Sequence, residues 1–378
     1  MGVSTVTAAR ILQGQNKGQT GEENILSWEK FPYTALSKTY NQDYQTPDSA
    51  GTATAFLCGI KANYGTTGVD ASTKRYDCES SKGAEVSSIF RWSMDKGKST
   101  GFATTARVTH GTLASGYSSS ANRYWEGDSD MVNVTGGCKD IARQLIEDNP
   151  DIQEWLDDKK ERNKRHRYVW NSSDFYNVNA AETDYLLGLF QPSHMQYEIE
   201  RLTSKEKGGE PSLAEMTEKS INILSRNTNG YFLLVEGLAD EQGAPKLASD
   251  GKPFTTLLYA NGPGGINGAE RANLTGVDTE IDDLVFQAFV PLVKETHGGE
   301  DVAIYARGPM SHLFQGVKEQ HYVAHVMAYA SCVGEYRQNK DCAASLLGKQ
   351  NTCNTSKGIV IKGSYFKYML LFFALVFL

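Results

Sequence analysis

The sequence predicts an α/β fold in which a parallel sheet is covered by helices on both faces. Three observations carry that prediction. Short continuous apolar runs alternate with amphipathic stretches, the pattern of buried parallel strands joined by crossover helices. The 378 residues and 41.6 kDa suffice for a sizeable core in one large domain or two ordinary ones. A composition of 40% hydrophobic and 22% charged residues, with 36 Gly and 10 Pro, is globular and argues against disordered, coiled-coil and collagenous classes.

The elements follow in order. Small and apolar residues at 50–58, opened by Pro47 and Asp48, predict a helix. Residues 100–106 (Thr-Gly-Phe-Ala-Thr-Thr-Ala) predict a buried strand, and 141–147 an amphipathic helix. Residues 151–167 are heavily charged and read as a solvated helix or connector. A helix is expected at 213–225, strands at 230–236, 255–259 and 302–305, and a last helix at 322–332. No internal repeat and no composition break divides residues 1–342, so one domain is expected there, with 343–378 a separate C-terminal signal region.

Lys and Arg number 38 against 45 Asp and Glu, a net charge of −7, and the densest basic stretch is the short 159–165 segment. Nucleic-acid binding needs a broad basic face, so that class is set aside. The start, Met1-Gly2-Val3-Ser4-Thr5-Val6, has neither the basic nor the apolar region of a signal peptide, and Val6 spoils a myristoylation signal. Glycosylation sequons at Asn133, Asn171, Asn273 and Asn354 nevertheless point to the secretory pathway. The apolar tail from Tyr368 to Leu378 is about half the roughly 20 residues a membrane-spanning helix needs. Small residues at 354–358, a spacer and that short tail match a GPI-anchor signal, with Asn354 or Ser356 as the attachment point; a buried terminal strand or helix is the alternative. The expected location is therefore the cell surface.

Six cysteines are too few for a disulfide framework. Cys78 and Cys138 lie in polar surroundings and can pair, Cys332 and Cys342 can close a short loop, and Cys58 reads as a buried free thiol. No Cys-x-x-Cys pair is present, which disfavours a thiolate zinc site.

Four segments fall where α/β chemistry collects, at strand carboxyl ends and helix amino ends. In the first, 46–55, Ser49 lies in the first helical turn, where unpaired N–H groups favour an anion. A serine there is either a nucleophile toward phosphate or an N-terminal cap, and position alone favours the cap. The second, Arg107-Val108-Thr109-His110-Gly111-Thr112 with Asn122-Arg123, offers a guanidinium fork for phosphate, a hydroxyl for a hard cation and a ring nitrogen. Surface ion pairing and ordinary loop bonding are the alternatives. In the third, Leu234-Val235-Glu236-Gly237, a carboxylate ends a buried strand and is costly unless it meets a cation. The fourth, 295–302, sets His297 among glycines and acids, as a metal ligand or a loop hydrogen-bonder.

These residues, together with Asn261-Gly262-Pro263-Gly264, resemble the animal alkaline phosphatases in collinear order from Met1 to about Cys342. The resemblance implies a large, mostly parallel central sheet with helices on both faces, incomplete in this chain. It also implies a GPI-anchored homodimer that hydrolyses phosphate monoesters using Zn(2+) and Mg(2+). Ser49 matches the phosphoserine nucleophile, Arg123 the phosphate clamp, Thr112 and Glu236 magnesium ligands, and His297 one zinc ligand. His110 matches a histidine beside the magnesium site, and Ser49 would also face zinc.

Departures are equally informative. The family's Gly-Asp-Gly-Met-Gly segment carries a bridging aspartate, and this chain reads Met1-Gly2 at its final pair, so the aspartate has no counterpart. After Glu236-Gly237 the family continues through an Asp-His-Gly-His-His run and a later Thr-Ala-Asp-His strand end, whereas Leu238-Ala239-Asp240 resembles sequence beyond both. A third loss falls near Asn149-Pro150. An accessory calcium site is reduced to Phe190 and Glu210, with Gln191 where a carboxylate is expected. Asp240, Glu241, His312, His321 and His325 are available as substitutes, and His166 and His194 sit in polar segments. With His297 left alone of the zinc set, zinc affinity should collapse. The chain therefore reads as an alkaline phosphatase shortened by block losses, with little or no turnover. The alternative is a non-catalytic surface glycoprotein that keeps a phosphate-binding Ser49–Arg123 pocket.

Overall fold

The computed structural model describes residues 2–146, 152–203, 209–237, 245–247, 253–255, 259–265, 273–277, 285, 287–293, 297–338 and 370–373. The chain opens with α1 (Val3–Gln15), β1 (Tyr33–Lys38) and α2 (Ser49–Cys58). Next come α3 (Cys78–Ser81), α4 (Ile89–Met94), β2 (Ser99–Thr104), α5 (Gly111–Tyr117) and α6 (Ile141–Leu145). The middle holds α7 (Ile152–Glu161), β3 (His166–Val169), α8 (Ser172–Tyr176), β4 (Tyr185–Gly188), α9 (Glu198–Thr203), α10 (Leu213–Leu224) and β5 (Tyr231–Glu236). Short strands follow: β6 (Pro245–Leu247), β7 (Pro253–Thr255), β8 (Tyr259–Gly262), β9 (Gly264–Gly265) and β10 (Gln287–Pro291). The end comprises β11 (Val302–Arg307), β12 (Gly316–Glu319), α11 (Tyr322–Ser331) and β13 (Leu370–Phe373).

The expected helices and most strands form within a residue or two of their predicted limits. The charged 151–167 stretch divides into α7 and the start of β3. The strand expected at 255–259 does not form as one element: Thr255 ends β7, Tyr259 begins β8, and 256–258 lie outside the described residues. Local chemistry explains the sharp boundaries. A capping box opens α10, with Ser212 N–H donating to Glu215 Oε2 at 2.8 Å and Glu215 N–H donating to Ser212 Oγ at 3.2 Å.

β2 and β5 pair in parallel from Ser99↔Tyr231 to Thr104↔Glu236. β3 with β4 and β1 with β12 are also parallel, while β11 runs antiparallel to β1. Among the described residues these pairs do not merge into one large sheet. They form a four-stranded sheet in the order β12-β1-β11-β13, a three-stranded β8-β10-β9 sheet and three two-stranded pieces. The losses read from the sequence fall just before α7 and just after β5.

Both faces of the β2–β5 pair are nonetheless covered. Phe102, Phe232 and Leu234 face a core of Phe56, Leu57, Ile89, Phe90, Val323 and Met327 from α2, α4 and α11. Ala103, the neighbour of Phe102, points the opposite way into a second core with Val169, Phe175 and Met216. This period-2 reversal under helices is the predicted α/β arrangement.

Cys78 and Cys138 form a disulfide with Cα atoms 5.9 Å apart across 60 residues of chain. Constraining the unfolded chain in this way contributes about 2–4 kcal/mol. Cys332 is also disulfide-bonded, and Cys342 lies outside the described residues. Cys58 is a buried free thiol, and burial pushes its pKa up to about 12. Asn133 and Asn273 are exposed, Asn171 caps α8 by accepting from Asp174 N–H at 2.8 Å, and Asn354 lies outside the described residues. Within the apolar tail, Leu370–Phe373 pairs antiparallel with β11. No helix among the described residues is long and apolar enough to cross a membrane.

Candidate active site

The site lies where α2 begins, beside the carboxyl ends of β2 and β5. Asp48 caps α2, its carboxylate accepting from Ala50 N–H at 3.2 Å and Gly51 N–H at 3.1 Å. The same carboxylate takes Asn41 Nδ2–H at 2.8 Å and Gly65 N–H at 2.9 Å. This corrects the positional reading of Ser49 as a cap, because the helix end is already satisfied by its neighbour. Ser49 Oγ instead accepts from Arg123 Nη1 at 2.8 Å. Arg123 also pairs with Asp48 Oδ2 at 3.0 Å and meets His110 Nε2 at 2.9 Å through Nη2. Ser49 is 0% exposed and Arg123 6%.

A guanidinium can only donate, so His110 Nε2 accepts and the ring proton sits on Nδ1. Burial, reinforced by the charges of Arg123 and Arg107, pushes the His110 pKa down to about 2 and keeps the ring neutral. His297 is half-buried and within electrostatic reach of His110. Its loop backs onto the entry to α2, since a Cβ on Gly299 would lie 3.4 Å from Thr46 Oγ1.

Thr112 belongs to the first turn of α5, which packs closely on α2: a Cβ on Gly111 would fall 3.1 Å from Ala50. The β2–β5 register brings Thr104 beside Glu236, and Thr104 Oγ1 donates to Glu236 Oε2 at 3.1 Å. Burial raises the Glu236 pKa, opposed by nearby Thr112, Thr104 and Arg123. The Thr112 hydroxyl therefore faces the Glu236 carboxyl, yet neither Thr112 Oγ1 nor Glu236 Oε1, both buried, has a partner in good hydrogen-bond geometry. Two neighbouring orphan oxygens, one on a carboxyl group, suit a hard oxygen-seeking cation such as magnesium.

The described residues alone do not supply a zinc ligand set. Among the described residues no group of three or more His, Cys, Asp or Glu side chains can hold a metal ion. His194 meets Arg107, His325 bridges Glu335 and Gly59 O, His166 contacts Lys164 O, and the rings of His312 and His321 meet Tyr33 and His325. Asp240 and Glu241 lie outside the described residues. Of the accessory calcium remnants, Glu210 is buried with Oε1 unpartnered, Phe190 packs on Phe175, and Gln191 is exposed.

Sequence reasoning missed a network behind His110. Arg107 makes a bidentate pair with Glu126, which also accepts from Thr109 Oγ1. Glu126 follows Trp125 with no motif around it, so spacing gave no signal. Burial works to raise its pKa, but the bonds from Arg107 and Thr109 outweigh burial and hold it below the ordinary 4.5. The unfolded state therefore binds the proton more tightly, and this group's stabilisation is present above about pH 4.5 and lost as pH falls through the lower folded value. Glu126→Gln should cost about 1–3 kcal/mol at pH 7 and flatten that acid-side loss. Urea midpoints at pH 7 and pH 3.5 test this; an unchanged difference between the two pH values would count against it.

The sequence model of the family described as Alkaline phosphatase matches residues 1–156, 149–243 and 240–333. The joins between these pieces fall at the two interior losses read from the sequence. The tissue-nonspecific alkaline phosphatase of Gallus gallus is 41% identical over 444 positions, covering 91% of this chain and 85% of that protein. An alkaline phosphatase of Gadus morhua is 42% identical over 439 positions, covering 89% and 91%. Both alignments are longer than the 378-residue chain, so stretches of each relative have no counterpart here. The solved alkaline phosphatase of a psychrophilic Shewanella sp. shares the fold at a TM-score of 0.54 and 18% identity, covering 86% of this chain and 96% of that one. That of the Antarctic bacterium TAB5 does so at 0.53 and 16%, covering 89% and 96%, and a variant of it has Mg bound in its M3 site. Fold, motif order and identity over most of the chain agree: this protein belongs to the alkaline phosphatase family.

Proposed function

We propose that this chain binds phosphate monoesters at the Ser49–Arg123 pocket and hydrolyses them through a phosphoserine, far more slowly than its intact relatives. The observation that carries this reading is a Ser49 hydroxyl relieved of capping by Asp48 and held 2.8 Å from a buried guanidinium. Arg123 would turn from Ser49 Oγ to the phosphoryl oxygens, with Asp48 fixing the plane of its fork. The Ser49 Oγ–P bond forms as the ester P–O bond breaks, and the serine proton leaves with the alcohol product. Water then cleaves the phosphoserine.

Thr112 and Glu236 would hold magnesium through their orphan oxygens. Bound there, the ion supplies positive charge behind the phosphoryl pocket. The described residues do not fit zinc, so no step is assigned to it. Nothing favours the non-catalytic glycoprotein over the enzyme. A homodimer at the cell surface, N-glycans on Asn133, Asn171 and Asn273, and a GPI anchor at Asn354 or Ser356 complete the proposal. The exposed Asn133 and Asn273 support glycosylation, and anchor attachment would remove β13 from its pairing with β11.

Acid-quenched incubation with a 32P-labelled ester tests the nucleophile. Label should reside on the Ser49 peptide, vanish in Ser49→Ala and fall about 10²–10³-fold in Arg123→Ala. Label surviving in Ser49→Ala would sink the assignment.

A further inference from the structure

Beside the phosphate pocket stands a cluster of rings around a second arginine, for which the reaction as derived above has no use. The Arg75 Cζ lies 4.8 Å from the ring centre of Tyr76, 5.2 Å from Tyr64 and 5.6 Å from Tyr124. Its Nε donates to Asn122 Oδ1 at 3.4 Å, and among the described residues no carboxylate lies within ion-pair distance. Arg123, by contrast, is neutralised by Asp48. A guanidinium among rings with no counter-ion is a stacking surface that retains its charge.

The position of the cluster ties it to the site. Tyr124 follows Arg123 in sequence, and the Arg123 Cζ is 5.6 Å from its ring centre, while Arg123 Nη1 is 2.8 Å from Ser49 Oγ. The Tyr64 hydroxyl feels Asp48, Tyr124, Arg75 and Arg123 together. Arg75 lies over Gly65, where any Cβ would fall 2.5 Å from the guanidinium carbon, and Gly65 N–H is itself bonded to Asp48. The nucleophile is buried, yet Tyr76 is 62% exposed and Tyr124 52%. Tyr76 is moreover held at φ 68°, a backbone region that L side chains avoid, with its N–H on Ala121 O at 3.1 Å. Large rings kept half in water beside the buried Ser49 and Arg123 are poor core material and good leaving-group contacts.

We propose that Arg75, Tyr76 and Tyr124 form a leaving-group subsite that stacks a planar heteroaromatic ring, so that nucleoside monophosphates bind better than aliphatic phosphate esters. The proposal rests on the Ser49–Arg123 pocket holding the phosphate. Base–aromatic stacking in water is worth enough to produce about a tenfold preference.

The test is calorimetric titration of the full chain carrying Ser49→Ala, so that no ester is consumed, with inorganic phosphate, ribose 5-phosphate and adenosine 5′-monophosphate. Adenosine monophosphate should bind about tenfold tighter than ribose 5-phosphate. Tyr124→Ala and, separately, Arg75→Met should shrink that ratio to about twofold or less, since each removes a stacking partner. The ratio cancels any general change in phosphate affinity, and retained binding of inorganic phosphate shows that each variant is folded. Equal affinity for the two esters in the parent, or an undiminished ratio in both variants, overturns the subsite. Failure of inorganic phosphate itself to bind overturns the pocket reading instead, and the subsite with it.

Discussion

Purified full-length chain, equilibrated with zinc and magnesium and then desalted, will retain less than about one zinc ion per chain, because zinc needs three or four protein ligands. It will hydrolyse p-nitrophenyl phosphate at alkaline pH at least about 10³-fold more slowly than the Gallus gallus relative, a barrier difference of about 4 kcal/mol. His297 is the one histidine of the resemblance's zinc set that the chain keeps, and the other described histidines meet arginine, carboxylate, carbonyl or ring partners instead. Elemental analysis paired with the rate assay decides the matter. Two zinc ions with turnover that Ser49→Ala abolishes would mean that substitute ligands assemble, and the reading of the losses would be wrong. A chimaera supplies the positive control: inserting the relative's unmatched stretches at the 149–156 and 240–243 joins, with its Gly-Asp-Gly segment placed ahead of Met1, should restore both zinc and rate.

The sequence made much of this arrangement legible, and its failures have physical causes. Local chemistry was strong around 46–58, where Pro47, Asp48 and a run of small residues leave little besides a buried helix. The strand end at Glu236 was readable because its apolar run stops at a carboxylate, whereas the strand expected at 100–106 ends two residues early, at Thr104. The role of Ser49 was not readable from position, since Ser and Asp both cap helices and adjacency alone cannot say which side chain turns back to the amides. The partnership of Arg107 with Glu126 was equally hidden, because it is made across 19 residues with no periodicity to announce it. Sheet continuity is a separate matter: among the described residues the parallel pairs stand in separate sheets. Each strand's composition records its own burial, whereas merging into one sheet depends on neighbours that the interior losses affect.

Asp48→Ala is expected to be the most destabilising single substitution at the site, lowering stability by about 3–5 kcal/mol, the range for stranding one partner of a buried ion pair. Asp48 is fully buried and accepts from two amides of α2, from Gly65 N–H, from Asn41 and from Arg123. Capping loss accounts for about 1 kcal/mol of that cost. The remainder is assigned to an Arg123 guanidinium left buried beside a neutral imidazole. That assignment separates from a general loop effect in a double-mutant cycle with Arg123→Met, read by urea unfolding through tryptophan fluorescence. If the stranded charge dominates, the double mutant is more stable than Asp48→Ala alone, because the second substitution removes the charge that the first exposed. If the double mutant is less stable by the sum of both losses, Asp48 acts through the cap and the Gly65 turn, and its pairing with Arg123 serves orientation of the fork toward phosphate rather than stability. Phosphate affinity then distinguishes the two roles further: a carboxylate needed for orientation weakens phosphate binding even where the helix still forms, whereas a purely electrostatic partner strengthens it when removed, because Arg123 is then free for the incoming anion.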